Sequence, residues 1–375
     1  MANVRLGIVG LGIMGRGHLE YLLQGKVQRV QVTALCDIVP KAMEGPPELA
    51  RFDDYRALIG SGLVDAVLIA TPHYQHFPIT VEALGKGLHV LVEKPISVGK
   101  SDAEKMLLAY QKRPRKEQVF AAMFQQRTSP QFQQMKRLLA SGELGPIQRV
   151  CWLCTHWFRS DAYYASGGWR ATWRGEGGGV LVNQCPHNLD MLWWLCGTPS
   201  EVRAFCRFGK WHKIEVEDDV TAYLVYPNGA TGVFVAGTGE APGSDLLEIA
   251  CDRGKIAYEG GKLTLWRSKV PVSEYCRTTR ERFKGPEFER QALPVTGKGG
   301  GHAQITQNFV DAVLDGKELL APAAEGIFSV ELANAMLYST WTDQTVKLPL
   351  DGAAFDRALQ ERIARGRAVN STLIT

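Results

Sequence analysis

Three groups of residues in this chain have the types and spacing to do chemistry. The first is Glu93-Lys94-Pro95, which directly follows the apolar run 88–92. A lysine in that place has its stem in protein and its ammonium at the rim of a sheet, the crevice where open α/β sheets bind ligands. Pro95 ends the strand and fixes the chain direction beyond it. Alone, the triplet equally describes a surface lysine stopped by proline. The second group is Gly10-Leu11-Gly12-Ile13-Met14-Gly15, between an apolar run and a helical pattern. Its glycines allow a tight turn, approach to a pyrophosphate and close helix–strand contact, and the helix N-terminus faces the phosphates. Asp37, at the end of the next run, is placed for the ribose hydroxyls and against a 2′-phosphate, or else is a turn or cap residue. Thr71-Pro72-His73 and His76 end a further run on the same rim, where either histidine reads as a rim group or as a capping residue.

The third group is Gly177-Gly178-Gly179 followed by Asn183, His187 and Asp190. On a helix begun near Asn183, His187 lies one turn away and shares its face. Asp190 stands where it can orient the His187 imidazole or form an outward salt bridge. Upstream, Trp152, His156, Trp157, Phe158, Tyr163, Tyr164, Trp169 and Trp173 crowd together. Flat aromatic faces beside polar groups suit the C–H faces and hydroxyls of a sugar, and part of the group belongs to the core.

The elements that must hold these groups follow from periodicity. Runs 4–9, 30–36, 64–70, 88–92 and 119–123 are continuously apolar, as in parallel strands covered on both faces. Helical spacing at 14–24, 74–85 and 101–112 separates them, the last with Ser101 and Glu104 as a capping box. Repeated strand–helix–strand units predict an α/β fold whose N-terminal domain, residues 1–124, is a Rossmann-type doubly wound parallel sheet. In residues 125–375 the pattern changes to alternating strands at 147–157, 201–208, 221–226, 231–236, 249–251, 255–258 and 263–266. A turn at 227–230 and helices at 132–140, 186–195, 303–314 and 324–342 complete an α+β domain, a mainly antiparallel open sheet with helices on one face. The tail 362–375 is polar, free or packed on a partner.

Composition narrows the function classes. The chain has 375 residues, 45% hydrophobic and 22% charged, with a net charge of +4, as expected of a two-domain globular protein. The basic clusters at 112–116 and 277–290 read as solvated turns, so no nucleic-acid partner is expected. Neither a signal peptide nor a membrane span is expected. Cys151 and Cys154 lie on an extended run, facing opposite sides, and the eight cysteines imply a reduced cytoplasmic protein. No metal site is expected.

Taken together, the glycine loop, Thr71-Pro72 with His76, Glu93-Lys94-Pro95, and Trp169-Arg170 followed by Gly177–Gly179 and His187 resemble the Gfo/Idh/MocA oxidoreductases. The resemblance covers essentially the whole chain. It implies a Rossmann domain, a second domain whose open sheet forms a homodimer or homotetramer, a nicotinamide cofactor, and a sugar, cyclitol or polyol substrate. By position it implies a cofactor wall of Gly10, Gly12, Ile13, Met14, Asp37, Thr71, Pro72, His76, Glu93, Lys94, Gln125 and Arg170, with NAD preferred to NADP. Lys94 and His187 resemble the catalytic pair. Asn183, Trp157, Tyr163, Tyr164, Trp169 and His156 are the expected substrate contacts. Many relatives carry Asp at position 183, so Lys94 is expected to lack a fixed carboxylate partner and to hold its proton less tightly.

The expected reaction is hydride transfer between a carbinol carbon and the nicotinamide, with His187 moving the hydroxyl proton and Lys94 holding the oxygen. Two alternatives use the same residues. One is glycoside cleavage through transient oxidation by retained NAD, with no net redox change. The other is a nucleotide-sensing regulator without catalysis.

Overall fold

The computed structural model describes residues 3–372. Strands β1 (Val4–Val9), β2 (Val30–Cys36), β3 (Ala50–Phe52), β4 (Ala66–Ile69), β5 (His89–Val92) and β6 (Phe120–Ala122) form a parallel sheet ordered β3-β2-β1-β4-β5-β6. Helices α1 (Ile13–Leu23), α2 (Tyr55–Gly60), α3 (His73–Gly85) and α4 (Lys100–Gln111) link the strands. The order reverses between β1 and β4, opening a crevice at their carboxyl ends, as in doubly wound sheets. Every residue of β4 and β5 is buried, which explains their unbroken apolar runs. β3 and α2 escaped the sequence reading because three and six residues are too short to show a period.

The second sheet is built from β7 (Ile147–Cys154), β8 (Glu201–Phe208), β9 (Glu217–Val225), β10 (Thr231–Gly237), β11 (Asp245–Cys251), β12 (Gly254–Glu259), β13 (Lys262–Ser268), β14 (Phe288–Leu293) and β15 (Val346–Lys347). Their order is β14-β13-β12-β11-β7-β10-β9-β8-β15, antiparallel except for the parallel pair β7–β10. Helices α5 (Pro130–Ala140), α6 (Asp161–Ala165), α7 (Pro186–Cys196), α8 (Val272–Thr278), α9 (Gly301–Asp315), α10 (Gly326–Thr342) and α11 (Gly352–Thr372) complete the chain. α7 and α10 cover one face of the sheet. The alternating burial along β8 to β11 is the signature of a sheet covered on that side only.

Several expectations need correction. Ser101 does not open α4. Gly99 is the cap residue, and Lys100 N–H is satisfied by Asn334 Oδ1 at 2.8 Å from α10, so a tertiary contact replaces the capping box. The strand expected at 147–157 ends at Cys154, where Thr155 and His156 bond to the Ser244 carbonyl. The basic stretch 277–290 is not all loop: it contains the end of α8 and the start of edge strand β14, whose outward side chains hide its period. The tail helix α11 runs to Thr372, and residues 373–375 lie outside the described residues. α9 returns to the first sheet, where Ile305, Phe309 and Val310 join its core and Ala122 N–H bonds the Ala321 carbonyl at 3.0 Å.

The two sheets are tied by a buried ion pair just beyond β6. Arg127 gives Nε to Asp190 Oδ2 at 2.9 Å and a terminal nitrogen to Oδ1 at 2.6 Å, with both side chains at most 1% exposed. Glu325, ahead of α10, accepts from the same guanidinium. Burying two charges is costly, so this pair fixes geometry more than it adds stability. Asp190→Ala, which strands the Arg127 charge, is expected to cost about 3–5 kcal/mol in urea unfolding. The double change Arg127→Met with Asp190→Leu should cost much less. Equal losses in the two variants would mean the charges are not what the site must satisfy.

Candidate active site

The cofactor rim starts at the glycine turn. Gly10 has φ +90°, and a Cβ there would stand 2.7 Å from the Ala70 carbonyl and the Thr71 nitrogen, so only glycine fits between β1 and β4. A Cβ on Gly15 would meet the Gly10 oxygen at 1.8 Å, whereas one on Gly12 meets nothing within 4 Å. The N-terminus of α1 is therefore open, with no side-chain cap, and Ile13 and Met14 lie exposed beside it. Asp37 closes the turn, its carboxylate accepting Leu11 N–H at 2.7 Å and Val39 N–H at 2.8 Å. It thus has the turn role and remains partly exposed at the rim.

The ends of β4, β5 and β6 bring Thr71, Pro72, Glu93, Lys94 and Gln125 together. Thr71 Oγ1 is buried with no protein partner, and Pro72 caps α3. His76 stands behind this wall: its Nδ1 meets the Pro95 carbonyl at 2.7 Å and its Nε2 the Thr71 carbonyl at 2.8 Å. Glu93 is buried against His18 of α1 at 2.7 Å, and His18 continues to Tyr21 and then to Thr306 of α9. Burial pushes the Glu93 carboxyl up, but the His18 hydrogen bond and neighbouring positive charge outweigh it and hold the group at about 2.

Lys94 reaches across the crevice, its Nζ donating to the backbone carbonyl of Asn183 at 2.8 Å. Burial lowers its proton affinity, opposed by Glu93 and Glu176 and aided by Arg159 and Arg170. Asn183 lies in a turn three residues before α7, since the helix begins at Pro186 and not at Asn183 as its sequence suggests. His187, in the first turn of α7, sets Nε2 3.0 Å from the Gln125 amide and leaves Nδ1 buried without a protein partner. Burial and the nearby Lys94 charge bring the imidazole down to about 3, so it is neutral at neutral pH. Asp190 does not orient this ring, because both of its oxygens are taken by Arg127.

The aromatic group divides. Trp152 and Trp173 are core, and so is Tyr164, whose hydroxyl bonds Thr238 at 3.0 Å and whose ring lies on His212. The expectation that Tyr164 contacts a sugar is therefore corrected. Trp157 bonds Asn188, the neighbour of His187, at 3.0 Å, and exposed His156 lies over it with ring centroids 4.6 Å apart. Trp169 meets His73 edge-on at 5.4 Å. Arg170 lies over the Trp169 and Tyr163 rings and bonds the Tyr163 hydroxyl at 2.8 Å.

One residue of this centre was missed. Glu176, just before the three glycines, is 1% exposed and accepts from the Asn183 side-chain amide, so Lys94 does have a second carboxylate nearby. A lone acid amid Gly and Trp was its sequence signal. His73, expected as a rim or capping histidine, bonds the Glu176 carbonyl at 3.1 Å, and Arg127 carried no signal in the sequence.

A dinucleotide suits this rim. Around Lys94 and the segment that opens α7, Thr71 Oγ1, Gln125 Oε1, Gln184 Oε1 and His187 Nδ1 are buried polar atoms that find no partner among the described residues, the mark of a place for a polar ligand. Comparison with known proteins agrees. Residues 4–121 match the profile described as oxidoreductase family, NAD-binding Rossmann fold, and residues 132–257 match the GFO/IDH/MocA C-terminal domain. The rhizopine catabolism protein MocA of Rhizobium meliloti is 28% identical over 343 residues, covering 89% of this chain and 94% of that protein. Levoglucosan dehydrogenase of Pseudarthrobacter phenanthrenivorans is 25% identical, covering 93% and 99%. The WlbA dehydrogenase of Chromobacterium violaceum, solved with NADH and UDP-GlcNAcA, superimposes with a TM-score of 0.80 at 25% identity, covering 94% and 97%. The chain thus belongs to the GFO/IDH/MocA family of oxidoreductases, and its first sheet is that family's NAD-binding Rossmann fold.

Proposed function

We propose that this protein is an NAD-dependent dehydrogenase acting on a hydroxyl-bearing carbon of a sugar, glycoside or cyclitol, with Lys94 and His187 as its proton-handling residues. The observation that carries the reading is the meeting of Lys94, from β5, with Asn183 and His187, from the segment that opens α7, beside the glycine rim. When bound, NAD supplies the hydride acceptor, C4 of its nicotinamide. Gly12 and the free N–H groups of α1 hold its pyrophosphate, and Asp37 faces its adenine ribose. The substrate oxygen rests between Lys94 and His187. His187 Nδ1, the ring nitrogen turned away from Gln125, exchanges the proton with the substrate hydroxyl, while the Gln125 amide meets Nε2 and holds the ring. Lys94 Nζ donates to the same oxygen and stabilises the negative charge that develops there. Trp157, Trp169 and Tyr163 offer ring faces and a hydroxyl to the sugar. The dehydrogenases named among the relatives support this substrate class.

A panel of sugars, glycosides and cyclitols with NAD and NADP tests the reading through nicotinamide absorbance. Net NAD reduction by at least one compound is expected, and Lys94→Ala and His187→Ala should each lower kcat/KM by about 10²–10⁴-fold. Near-parental turnover in both variants would remove the two residues from the mechanism. Product formation without net absorbance change would instead favour transient oxidation with glycoside cleavage.

Asp37 accounts for the preference for NAD, since its charge repels a 2′-phosphate. Asp37→Ser should lower the ratio of NAD to NADP efficiency by at least about tenfold. An unchanged ratio would confine Asp37 to its turn.

The uncovered face of the second sheet supports a homodimer or homotetramer. Phe205, Thr221, Val235, Leu153 and Leu246 stand in register across β8, β9, β10, β7 and β11, with exposed Tyr223 one ladder away. Monomeric soluble proteins rarely leave a row this rich in apolar side chains facing water. Phe205→Lys with Tyr223→Glu should shift the sedimenting species to a monomer, and an unchanged oligomer would place the interface elsewhere. Eight cysteines remain as free thiols, which fits the reducing cytoplasm.

A further inference from the structure

We propose that Glu176 is a second resident anion of this active site beside Glu93, a positioning residue that adds negative charge to Lys94 and fixes the Asn183 side chain for a substrate hydroxyl. The inference rests on the dehydrogenase reading above and adds a residue to it. Glu176 is held on every side. Its Oε2 accepts Ala171 N–H at 2.6 Å, and Ala171 has φ +59°, a left-handed conformation that alanine adopts only when its surroundings impose it. Its Oε1 accepts from Asn183 Nδ2, with the Arg170 guanidinium 4.0 Å away. Its carbonyl bonds His73, and the chain beyond it packs so closely on β9 that a Cβ on Gly179 would stand 2.0 Å from the Glu217 carbonyl oxygen.

Two consequences follow from this geometry. The Asn183 NH₂ donates to Glu176, which turns its Oδ1 away. Among the described residues that oxygen meets no donor, and it suits one, which on a sugar is a hydroxyl. The second consequence is electrostatic. Asn183 stands between the two charges, with Nδ2 on Glu176 and its backbone carbonyl on Lys94 Nζ.

Glu93 is the larger negative influence on Lys94, and Glu176 adds a second one from the opposite wall of the crevice. Arg159 and Arg170 are cationic and oppose the Lys94 charge. Burial lowers the proton affinity of His73, His76, His187 and His302, keeping these imidazoles neutral. Glu217, behind the three glycines, is pushed up to about 8 by burial and holds its proton at neutral pH. Burial pushes Glu176 up as well, opposed by Ala171 N–H, the Asn183 amide, Arg170 and Lys94. Loss of its charge removes an influence that raises the proton affinity of Lys94, so Lys94 deprotonates at lower pH.

The test is competitive amine labelling of Lys94 across pH, read by peptide mass spectrometry, in the parent and in Glu176→Gln, Asn183→Asp and the double variant. Glu176→Gln should lower the proton affinity of Lys94 about tenfold. The alkaline limb of NAD reduction should move to lower pH with it. Glu176→Gln/Asn183→Asp, which returns a carboxylate to the same spot, should restore both. A merely structural glutamate would lower turnover and leave the labelling midpoint and the pH limb in place. If Glu176→Gln does not fold, the double variant is read against Asn183→Asp, where removing Glu176 must again lower the midpoint. An unmoved midpoint in a folded protein overturns the proposal, even if the enzyme proves an active dehydrogenase. If no sugar is oxidised, the function reading fails while the labelling still decides the role of Glu176.

Discussion

The Arg127–Asp190 pair is the constraint on which the active site depends. Arg127 sits two residues beyond Gln125, and Asp190 one turn beyond His187. Joining the two charges with paired hydrogen bonds sets the end of β6 against the first turn of α7, and Gln125 then meets His187 at 3.0 Å. An apolar contact could supply comparable stability, since desolvating two ions offsets most of their attraction. It could not fix orientation as well, because an aliphatic surface slides where a two-point guanidinium–carboxylate contact does not. Phe124, Trp193 and Trp194 surround the guanidinium with aromatic rings. Those rings exclude the water that would loosen the pair, and they favour a cation at that place.

The same logic of ordered charge runs through the crevice. His18–Glu93 lies beneath the floor and continues through Tyr21 to Thr306, so α1, β5 and α9 share one hydrogen-bonded line. Lys94 rises above it to the Asn183 carbonyl. Each buried charge has a partner on a different element, so the charges act as fasteners between elements as well as chemical groups. Groups held in this way change position little when a ligand enters, and preorganised dipoles and charges are what stabilise developing charge in a reaction.

What the sequence made legible was whatever is local. The glycine turn, the buried parallel strands and Glu93-Lys94-Pro95 are contiguous, and the backbone period carries them directly. His187 was visible because it follows the glycines at helical spacing. The sequence leaves Asp190 between orienting His187 and an outward salt bridge, and neither holds, because Arg127, 63 residues away, claims both oxygens in a buried pair. Glu176 could not be placed because its role appears only when turn 169–183 folds back on itself and onto α3. Tyr164 and Tyr163 are adjacent in sequence and look interchangeable, yet one faces Thr238 in the core and the other Arg170 at the site. Six-residue elements such as α2, and strands with no buried face such as β14, leave no periodic trace.

The site also separates chemistry from selection. Lys94, Asn183 and Gln125 sit in short segments between packed elements, and His187 begins a helix. Asn183 follows Gly177–Gly179, where an added Cβ would stand 2.2, 2.5 and 2.0 Å from its nearest neighbours, so little can change there without moving one. The side chains proposed to meet a substrate, Trp157, Tyr163 and Trp169, come from the stretch between β7 and α7, whose one helix is the short α6. A substitution in that stretch alters the shape of the pocket at little cost to either core. In the function we propose, one arrangement of lysine, histidine and cofactor serves many polyols, and substrate choice falls to the 155–175 segment, where aromatic faces and the Arg170–Tyr163 contact set which hydroxyl is brought to Lys94.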